Sequence, residues 1–451
     1  NNGDYEKILD NEEAILTYVD GRQDTVAAVM NFFLGDSYLM TYNDLETSVK
    51  YFRKEYMIHK NLATYDRSYF NAAFNLGYIL DELGEYKETE QIYIELLKID
   101  EEVFGKKSED YIYDALSFVQ HYIFTNEYGK GLKLTKELDQ LVDDNSLDKA
   151  MVLRFEGDFL EMAGNQSKSL KSLMKSLEIL EELGMYASLE YVGVLNSIGG
   201  VANYMGKAPL AEEAYREALS ILDRLPSEYS DYSLASKSNL ATTLYSLGNY
   251  DEAEKTLLDN LNTITETLGK ETYHYGSDAY ILGITYLKHG KYNEAEKWFN
   301  SSKEVLSKIL GEENLMNARI YQGLSSVYSE QRQLDKAKAM GIKSLEVMEK
   351  VTDDPQQVAF ANYYLGDIYF IDGDLQNALK YHSKALDIRT KELGRKHSDY
   401  AQSTNKVAIL DWQKKDYEEA KKLYQQTFEN YFEQINMIFP ILTEEEKAKF
   451  Y

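Results

Sequence analysis

The chain has 451 residues, 44% of them hydrophobic, and its 76 acidic and 49 basic residues give a net charge of −27. So strong a negative field repels phosphate backbones and anionic lipids, which argues against nucleic acid and membrane surfaces as partners. Four prolines against 26 glycines suit long helices, and with no cysteine there is no disulfide, thiolate nucleophile or Cys-ligated zinc. We therefore expect an all-α protein.

The sequence contains few signals that report the location of the protein. No apolar run approaches the roughly 20 residues that span a bilayer. The N-terminus NNGDYEK has neither an initiator Met nor a signal-peptide core, which suggests a trimmed chain. The lack of cysteine fits either redox compartment. Our expectation is a cytoplasmic protein.

Residues Tyr5 to Tyr18 carry apolar side chains at helical spacing and predict one short amphipathic helix. This stretch lacks the pattern that fills the rest of the chain. We therefore predict an N-terminal capping helix in residues 1–24.

From residue 25 onward the sequence repeats itself. Two copies of one pattern, NLATTLYSLGNYDEAEKTL and ILGITYLKHGKYNEAEKWF, follow each other, and their alanines Ala253 and Ala295 lie 42 residues apart. We predict about ten helix pairs over residues 25–430. The small residue that opens each second helix recurs at nearly this interval, at Thr47, Thr89, Gly131, Ser169, Ala211, Ala253, Ala295, Ala337, Ala378 and Ala420.

Each repeat shares a frame around this small residue. A large residue beside a small one, as in Leu282-Gly283, stands in the first helix and lets two helices approach closely. A tyrosine such as Tyr286 supplies a ring beside that approach. A glycine such as Gly290 ends the first helix in a left-handed conformation. The predicted repeat is a helix, a tight turn and a second helix.

This frame resembles the tetratricopeptide repeat, whose Leu-Gly, Tyr and Ala positions it reproduces at an interval of 42 residues rather than the usual 34. The longer repeats are similar to those of kinesin light chain, where LG-x-x-H recurs between repeats, and the nearest match here is LGRKH at residues 393–397. The resemblance implies a right-handed superhelical solenoid of about ten helix-turn-helix repeats. It does not imply one function, because such arrays serve many unrelated partners.

Residues 431–451 depart from the repeats. The last second helix is predicted to run on to Pro440, which should break it, and Thr443 to Glu446 has the pattern of a capping box that opens a new helix. This stretch resembles the connector that joins bacterial tetratricopeptide arrays to a C-terminal caspase-like peptidase domain of the CHAT family. The resemblance implies a sensing arm whose effector domain follows Tyr451 and is absent from this chain.

We expect no catalysis, no cofactor and no metal in this chain. A caspase-like dyad needs a cysteine, and the six histidines lack the spacing of a metal site. Carboxylate pairs such as Glu252 with Glu254 stand where a second helix begins, so we interpret them as partners of the helix dipole. His274 is predicted to lie in an inter-repeat loop.

The concave face is the remaining candidate site. Residues one helical step away from Leu282, Gly283 and Tyr286 should face the inside of the superhelix. The same step in this repeat and in five others selects amides, hydroxyls and rings, a composition suited to an extended peptide, although each could also be ordinary solvated surface. The candidate partner-binding residues are Asn196, Asn203, Ser238, Thr242, Tyr245, Tyr280, Arg319, Gln322, Ser326, Tyr363, Asp367, Asn405 and Trp412.

Trp412 has a second interpretation. Its neighbour Asp411 stands where the frame expects Tyr or Leu, so the last repeat is also a candidate for docking a following domain.

Three functions fit these observations. The first is a non-enzymatic array that binds a protein or peptide in its concave groove and biases a C-terminal effector in the same protein. The second is a regulator that responds to a peptide pheromone, although only about twenty-five residues precede the first repeat where such proteins carry an effector module. The third is a constitutive scaffold. The sequence does not predict the oligomeric state.

Overall fold

The computed structural model describes residues 2–42, 44–63, 65–225 and 230–438. Every regular element in these ranges is an α-helix. The helices are α1 (Asn2–Asp10), α2 (Glu12–Val19), α3 (Thr25–Tyr42), α4 (Leu45–Leu62), α5 (Arg67–Glu82), α6 (Tyr86–Val103), α7 (Glu109–Phe124), α8 (Tyr128–Asp139), α9 (Leu147–Met162), α10 (Gln166–Glu182), α11 (Leu189–Tyr204), α12 (Ala208–Leu222), α13 (Ser230–Ser246), α14 (Tyr250–Thr267), α15 (Tyr273–Lys288), α16 (Tyr292–Leu310), α17 (Leu315–Glu330), α18 (Leu334–Val351), α19 (Pro355–Asp372), α20 (Leu375–Glu392), α21 (Ser398–Gln413) and α22 (Tyr417–Ile438).

From α3 onward the helices form ten pairs, in which an odd-numbered first helix packs on the even-numbered second helix that follows it. The chain divides into two compact units, Asn1–Tyr229 and Ser230–Tyr451, and each contains five pairs. Within a unit, each second helix also packs on the next first helix. The predicted all-α array of about ten helix pairs is confirmed.

The two helices of a pair meet at the glycine of the predicted Leu-Gly step. A methyl group added to Gly283 would come within 2.7 Å of the Phe299 ring, and one added to Gly199 within 2.5 Å of the Tyr215 ring. The covering ring therefore belongs to the second helix. The ring predicted beside this approach, from a first-helix tyrosine such as Tyr286, makes a different contact.

The frame tyrosines bond to the preceding helix pair. The Tyr286 hydroxyl donates to Glu254 at 2.9 Å, and the Tyr328 hydroxyl donates to Glu296 at 2.6 Å. In both cases the glutamate belongs to one of the carboxylate pairs that the sequence analysis assigned to the helix dipole. These carboxylates therefore also accept a hydrogen bond that holds consecutive pairs in register.

Buried serines connect the two helices within a pair. The Ser302 hydroxyl donates to the Gly276 carbonyl at 2.6 Å, and Ser176 and Ser344 make the equivalent bonds to Ala150 and Ala318. All three serines are buried, so each hydroxyl needs an internal acceptor. The carbonyl of a first helix supplies that acceptor.

The turns inside the pairs adopt the predicted left-handed conformation. Gly290 has φ of 76° and Gly373 has φ of 81°. Where the sequence offers no glycine, Arg332 and Lys415 take the same conformation, with φ of 60° and 69°. The turn is thus a property of the repeat, and glycine is its least strained occupant.

Three local expectations are corrected or extended by the structure. The single N-terminal helix is instead two helices, because Asn11 interrupts it between Asp10 and Glu12. His274 lies in the first turn of α15, which begins at Tyr273, and not in a loop. The last second helix runs on to Ile438, while the predictions for Pro440 and for Thr443 to Glu446 lie outside the described residues.

The structure also bears on membrane insertion. In the part of the chain that the structure describes, no helix has both the length and the apolar composition needed to cross a bilayer.

The adjacent glycines of α11 offer a matched test of the helix approach. Gly199→Ala should lower the free energy of unfolding by about 1–3 kcal/mol, because the new methyl group overlaps the Tyr215 ring. Gly200→Ala should raise it by up to about 1 kcal/mol, because the nearest atoms are 3.9 Å away and alanine favours a helix. Urea unfolding followed by circular dichroism measures both changes. Equal effects of the two substitutions would contradict this account of the packing.

A buried carboxyl group makes unit 1 sensitive to pH. Glu55 on α4 is 6% exposed, and one of its carboxyl oxygens lacks a hydrogen-bond partner among the described residues. Burial raises the pKa of Glu55 from 4.5 to about 8, because desolvation penalises the charged form. The folded chain therefore holds this proton at pH values where the unfolded chain has released it.

This linkage predicts that stability falls as pH rises between about 4.5 and 8, since the folded state binds the extra proton throughout that window. Glu55→Gln removes the titrating group, so its stability should change less with pH. At pH 8 the variant should gain up to a few kcal/mol over the wild-type chain relative to their difference at pH 5. Urea midpoints at pH 5, 6.5 and 8 measure this, and parallel pH profiles for the two proteins would contradict it.

Candidate functional site

In unit 2, three consecutive first helices bring predicted site residues together. Tyr245 on α13 and Tyr280 on α15 are half-buried, and Arg319 on α17 is exposed. Burial raises the pKa of Tyr280, and the neighbouring Arg319 and Tyr245 act on that pKa in opposite directions. The Arg319 guanidinium has no ion-pair partner among the described residues. It is an available cation on a strongly acidic chain.

Tyr363 and Asp367 form a polar cluster on α19. The guanidinium carbon of Arg389 lies 4.8 Å and Lys406 Nζ 5.8 Å from the centre of the Tyr363 ring. Lys406 Nζ also donates to Asp367 Oδ1 at 2.6 Å, and His382 Nε2 lies 3.5 Å from the same oxygen. Burial acts to raise the pKa of Asp367, but the proximity of His382 and the bond from Lys406 outweigh it and lower that pKa. This carboxylate is therefore largely satisfied within the fold.

Three of the predicted hydroxyls bond within the protein. Ser238 donates to Asp278 on the next first helix at 2.6 Å, and Ser326 is buried and bonds the Tyr364 hydroxyl at 2.9 Å. Thr242 is exposed but donates to a carbonyl of its own helix. These contacts join neighbouring first helices or support one of them. The hydroxyl hydrogens of Ser238, Thr242 and Ser326 are therefore all engaged within the protein.

The remaining predicted residues differ in burial and in the unit to which they belong. Gln322 on α17 and Asn405 on α21 are half-buried. Trp412 is 56% exposed at the end of α21, and its ring meets the Tyr417 ring edge-on at 5.0 Å. Asn196 and Asn203 are half-buried on α11 and belong to unit 1.

Unit 1 contains a cavity that the sequence analysis did not identify. It has a volume of about 340 Å³ and is lined by the first helices α5, α7 and α9, with one residue each from α6 and α11. Exposed rings stand around it, among them Tyr78, Tyr113 and Phe124, and Met151 and Phe155 contribute from α9. The cavity is thus mainly aromatic and apolar.

A buried polar pair lies among the cavity residues. His121 Nδ1 contacts both carboxylate oxygens of Asp81, at 2.8 and 2.9 Å, and both side chains are buried. Tyr93 and Phe118 pack against the imidazole ring. The pair is satisfied within the protein, as a buried carboxylate requires.

The repeat pattern contains the signal that would have found this cavity. The step that selects Tyr280 from Leu282-Gly283 selects Phe74, Tyr78 and Asp81 when it is applied to Leu76-Gly77. All three line the cavity. The predicted site residues begin at Asn196 and therefore leave out this earlier repeat.

One cluster of possible metal ligands occurs in unit 2. Ligand atoms of Asp251, Glu254 and His289 lie within 4.8 Å of one another. Glu254 already accepts a hydrogen bond from Lys291 at 2.7 Å and another from Tyr286. Because the Glu254 carboxylate is already engaged by an ammonium group and a hydroxyl group, we assign no metal to this cluster.

Comparison with known families identifies the repeats. A tetratricopeptide repeat model matches residues 191–265, 277–350 and 357–431, and a second tetratricopeptide repeat model matches residues 70–103. Together these segments take in more than half of the chain. The chain belongs to the tetratricopeptide repeat family. Arrays of this family are protein- and peptide-binding modules without catalytic activity, and this chain is such a module.

Solved structures share the fold over most of the chain. The apo form of the quorum sensor NprR from B. thuringiensis has 15% sequence identity and a TM-score of 0.61, and the match covers 83% of this chain and 99% of that one. The apo form of RapI has 16% sequence identity and a TM-score of 0.58. A Rap protein complexed with Competence and Sporulation Factor has 16% sequence identity and a TM-score of 0.53. Each match covers 81% of this chain and 98% of the other. These similarities show the fold. Comparison with curated protein sequences finds no match.

Proposed function

We propose that the chain binds an extended peptide segment on the first-helix face of unit 2, defined here by Tyr245, Tyr280, Arg319, Gln322 and Tyr363. The observation that carries this proposal is Arg319, an exposed guanidinium that lacks an ion-pair partner among the described residues and lies close to Tyr280. An arginine binds a carboxylate through two parallel hydrogen bonds, so the peptide supplies a carboxylate there.

The other residues of the first-helix face suit a peptide backbone. An extended peptide presents one N–H and one C=O per residue, and each loses its water when it is bound. Tyrosine hydroxyls and the Gln322 amide replace those hydrogen bonds, while the half-buried tyrosine rings cover apolar parts of the ligand. Specificity then comes from the carboxylate at Arg319 and from the side chains beside it.

Two proposals concern what the binding does. The fold that the chain shares with a quorum sensor and with a Rap protein complexed with Competence and Sporulation Factor supports a regulator that responds to a signalling peptide. The sensing arm of a bacterial protein with a C-terminal CHAT effector remains the second proposal; it rests on residues 431–451, most of which lie outside the described residues. A cytoplasmic location and the domain limits 1–24, 25–430 and 431–451 stay predictions.

Arg319→Ala should weaken binding of carboxylate-bearing peptides by roughly tenfold or more, because it removes a charge-assisted pair of hydrogen bonds. Random dodecamers with free C-termini would be selected on the intact chain, and dissociation constants of the enriched peptides measured for both proteins by calorimetry. Arg395→Ala is the matched control, since Arg395 is an exposed arginine of the same unit in the loop before α21. Equal affinities for the intact chain and the Arg319 variant would remove Arg319 from the site.

Small-angle scattering distinguishes a regulator from a scaffold. If the chain is a regulator, adding an enriched peptide should reduce the radius of gyration, because the ligand selects one arrangement of the helix pairs. Arg319→Ala should not respond at the same peptide concentration. An unchanged radius of gyration at saturating peptide would favour the constitutive scaffold.

A further inference from the structure

The cavity of unit 1 has the size and lining of a site for one large side chain. Its volume of about 340 Å³ lies near the lower end of the roughly 300–1,000 Å³ that small-ligand pockets occupy. Tyr113 is 52% exposed and Phe124 45% exposed, although both are large rings on the same helix face. Contiguous exposed rings of this kind mark interaction surfaces in soluble proteins.

The charge around the cavity has one sign. Asp148 in the first turn of α9 and Glu190 in the first turn of α11 are among the residues that line it, and no lysine or arginine is among those residues. Neither carboxylate has an ion-pair partner in the described part of the chain. The nearby Arg67 stacks on Tyr113 at 4.8 Å and bonds Asp110 at 3.0 Å, so its charge is already engaged.

A helix dipole by itself favours an acidic residue in a first turn, so the position of these carboxylates is not evidence of a ligand. Their surroundings are the stronger observation. Burial raises the pKa of Asp148, and the charge of Glu109 adds to the effect. A carboxylate held beside apolar rings and a second negative charge is stabilised when a cation approaches it.

We propose that this cavity binds an aromatic or long aliphatic side chain of a peptide whose next residue is lysine or arginine, with the cation between Asp148 and Glu190. The proposal rests on the peptide-binding function proposed above and assigns it a second site with the opposite charge preference. The apolar side chain fills the space between Tyr78, Tyr113 and Phe124, and the acidic rim rejects an anionic neighbour.

A defined peptide panel tests this site separately from Arg319. Decapeptides of glycine and serine, amidated at the C-terminus and capped at the N-terminus with an uncharged BODIPY dye so that neither the termini nor the label carries a carboxylate, have Phe-Lys, Phe-Glu or Ser-Lys at their centre. Anisotropy titrations with the full chain should give Phe-Lys a dissociation constant roughly three- to tenfold below that of Phe-Glu and more than about tenfold below that of Ser-Lys.

Variants at exposed positions locate the binding without disturbing the core. Tyr113→Ala and Phe124→Ala should each weaken binding of the Phe-Lys peptide, whereas Tyr204→Ala, a 73% exposed tyrosine at the end of α11, should not. Asp148→Asn combined with Glu190→Gln should abolish the preference for Phe-Lys over Phe-Glu and retain the preference over Ser-Lys. Glu178→Gln, on the exposed side of α10, is the control for charge.

Several results would overturn the proposal. They are equal binding of the three peptides, no detectable binding of Phe-Lys, or a charge preference that survives the double substitution. If Arg319→Ala and not Phe124→Ala removes Phe-Lys binding, peptide binding at the first-helix face stands and the unit 1 site falls. If light scattering shows self-association that Tyr113→Ala abolishes, a second copy of the chain occupies the cavity and the peptide proposal is wrong.

Discussion

The structure depends on one steric constraint, which is the close approach of two helices at a residue without a side chain. At Gly199 and Gly283 a ring of the second helix lies where a Cβ atom would otherwise project. The contact fixes both the distance between the helices and their rotation, because only one face of each can meet the other in this way. Hydrogen bonds then fix the register of helices that packing has brought together. Serine–carbonyl bonds act inside a pair, and tyrosine–glutamate bonds act between consecutive pairs.

This constraint divides the surface of each first helix. One side packs on the second helix of its own pair and on the preceding pair, and most of its residues are small, apolar or aromatic. The side one helical step away is not set by this packing contact, and it carries Arg319 in unit 2 and the rings of the cavity in unit 1. Two units with the same backbone pattern therefore differ at this side: unit 2 has an exposed guanidinium, and unit 1 has an aromatic cavity with two carboxylates. Sequence differences outside the packing positions account for that contrast.

The sequence predicted the helix pairs and their left-handed turns because both follow from local spacing, as Ala253, Ala295 and Gly290 show. It predicted candidate residues on one side of the first helices but not the hydrogen-bond partner of each side chain. Ser238 and Ser326 each bond a side chain on the next first helix, and the spacing within one helix does not contain that information. The unit 1 cavity also needs Met151 and Phe155, which the repeat step does not select.

The serine bonds described within the pairs have an uneven distribution. The position that holds Ser302 and Ser344 is occupied by Ala218 in α12 and by Ala385 in α20, both buried and without a hydroxyl. Separating α15 from α16 therefore requires the loss of the bond from Ser302, whereas the α19–α20 contact has no serine bond at this position. Tyr363 instead packs against His382 and Arg389 of α20. A substitution at Tyr363 therefore alters the packing within a helix pair as well as the candidate site.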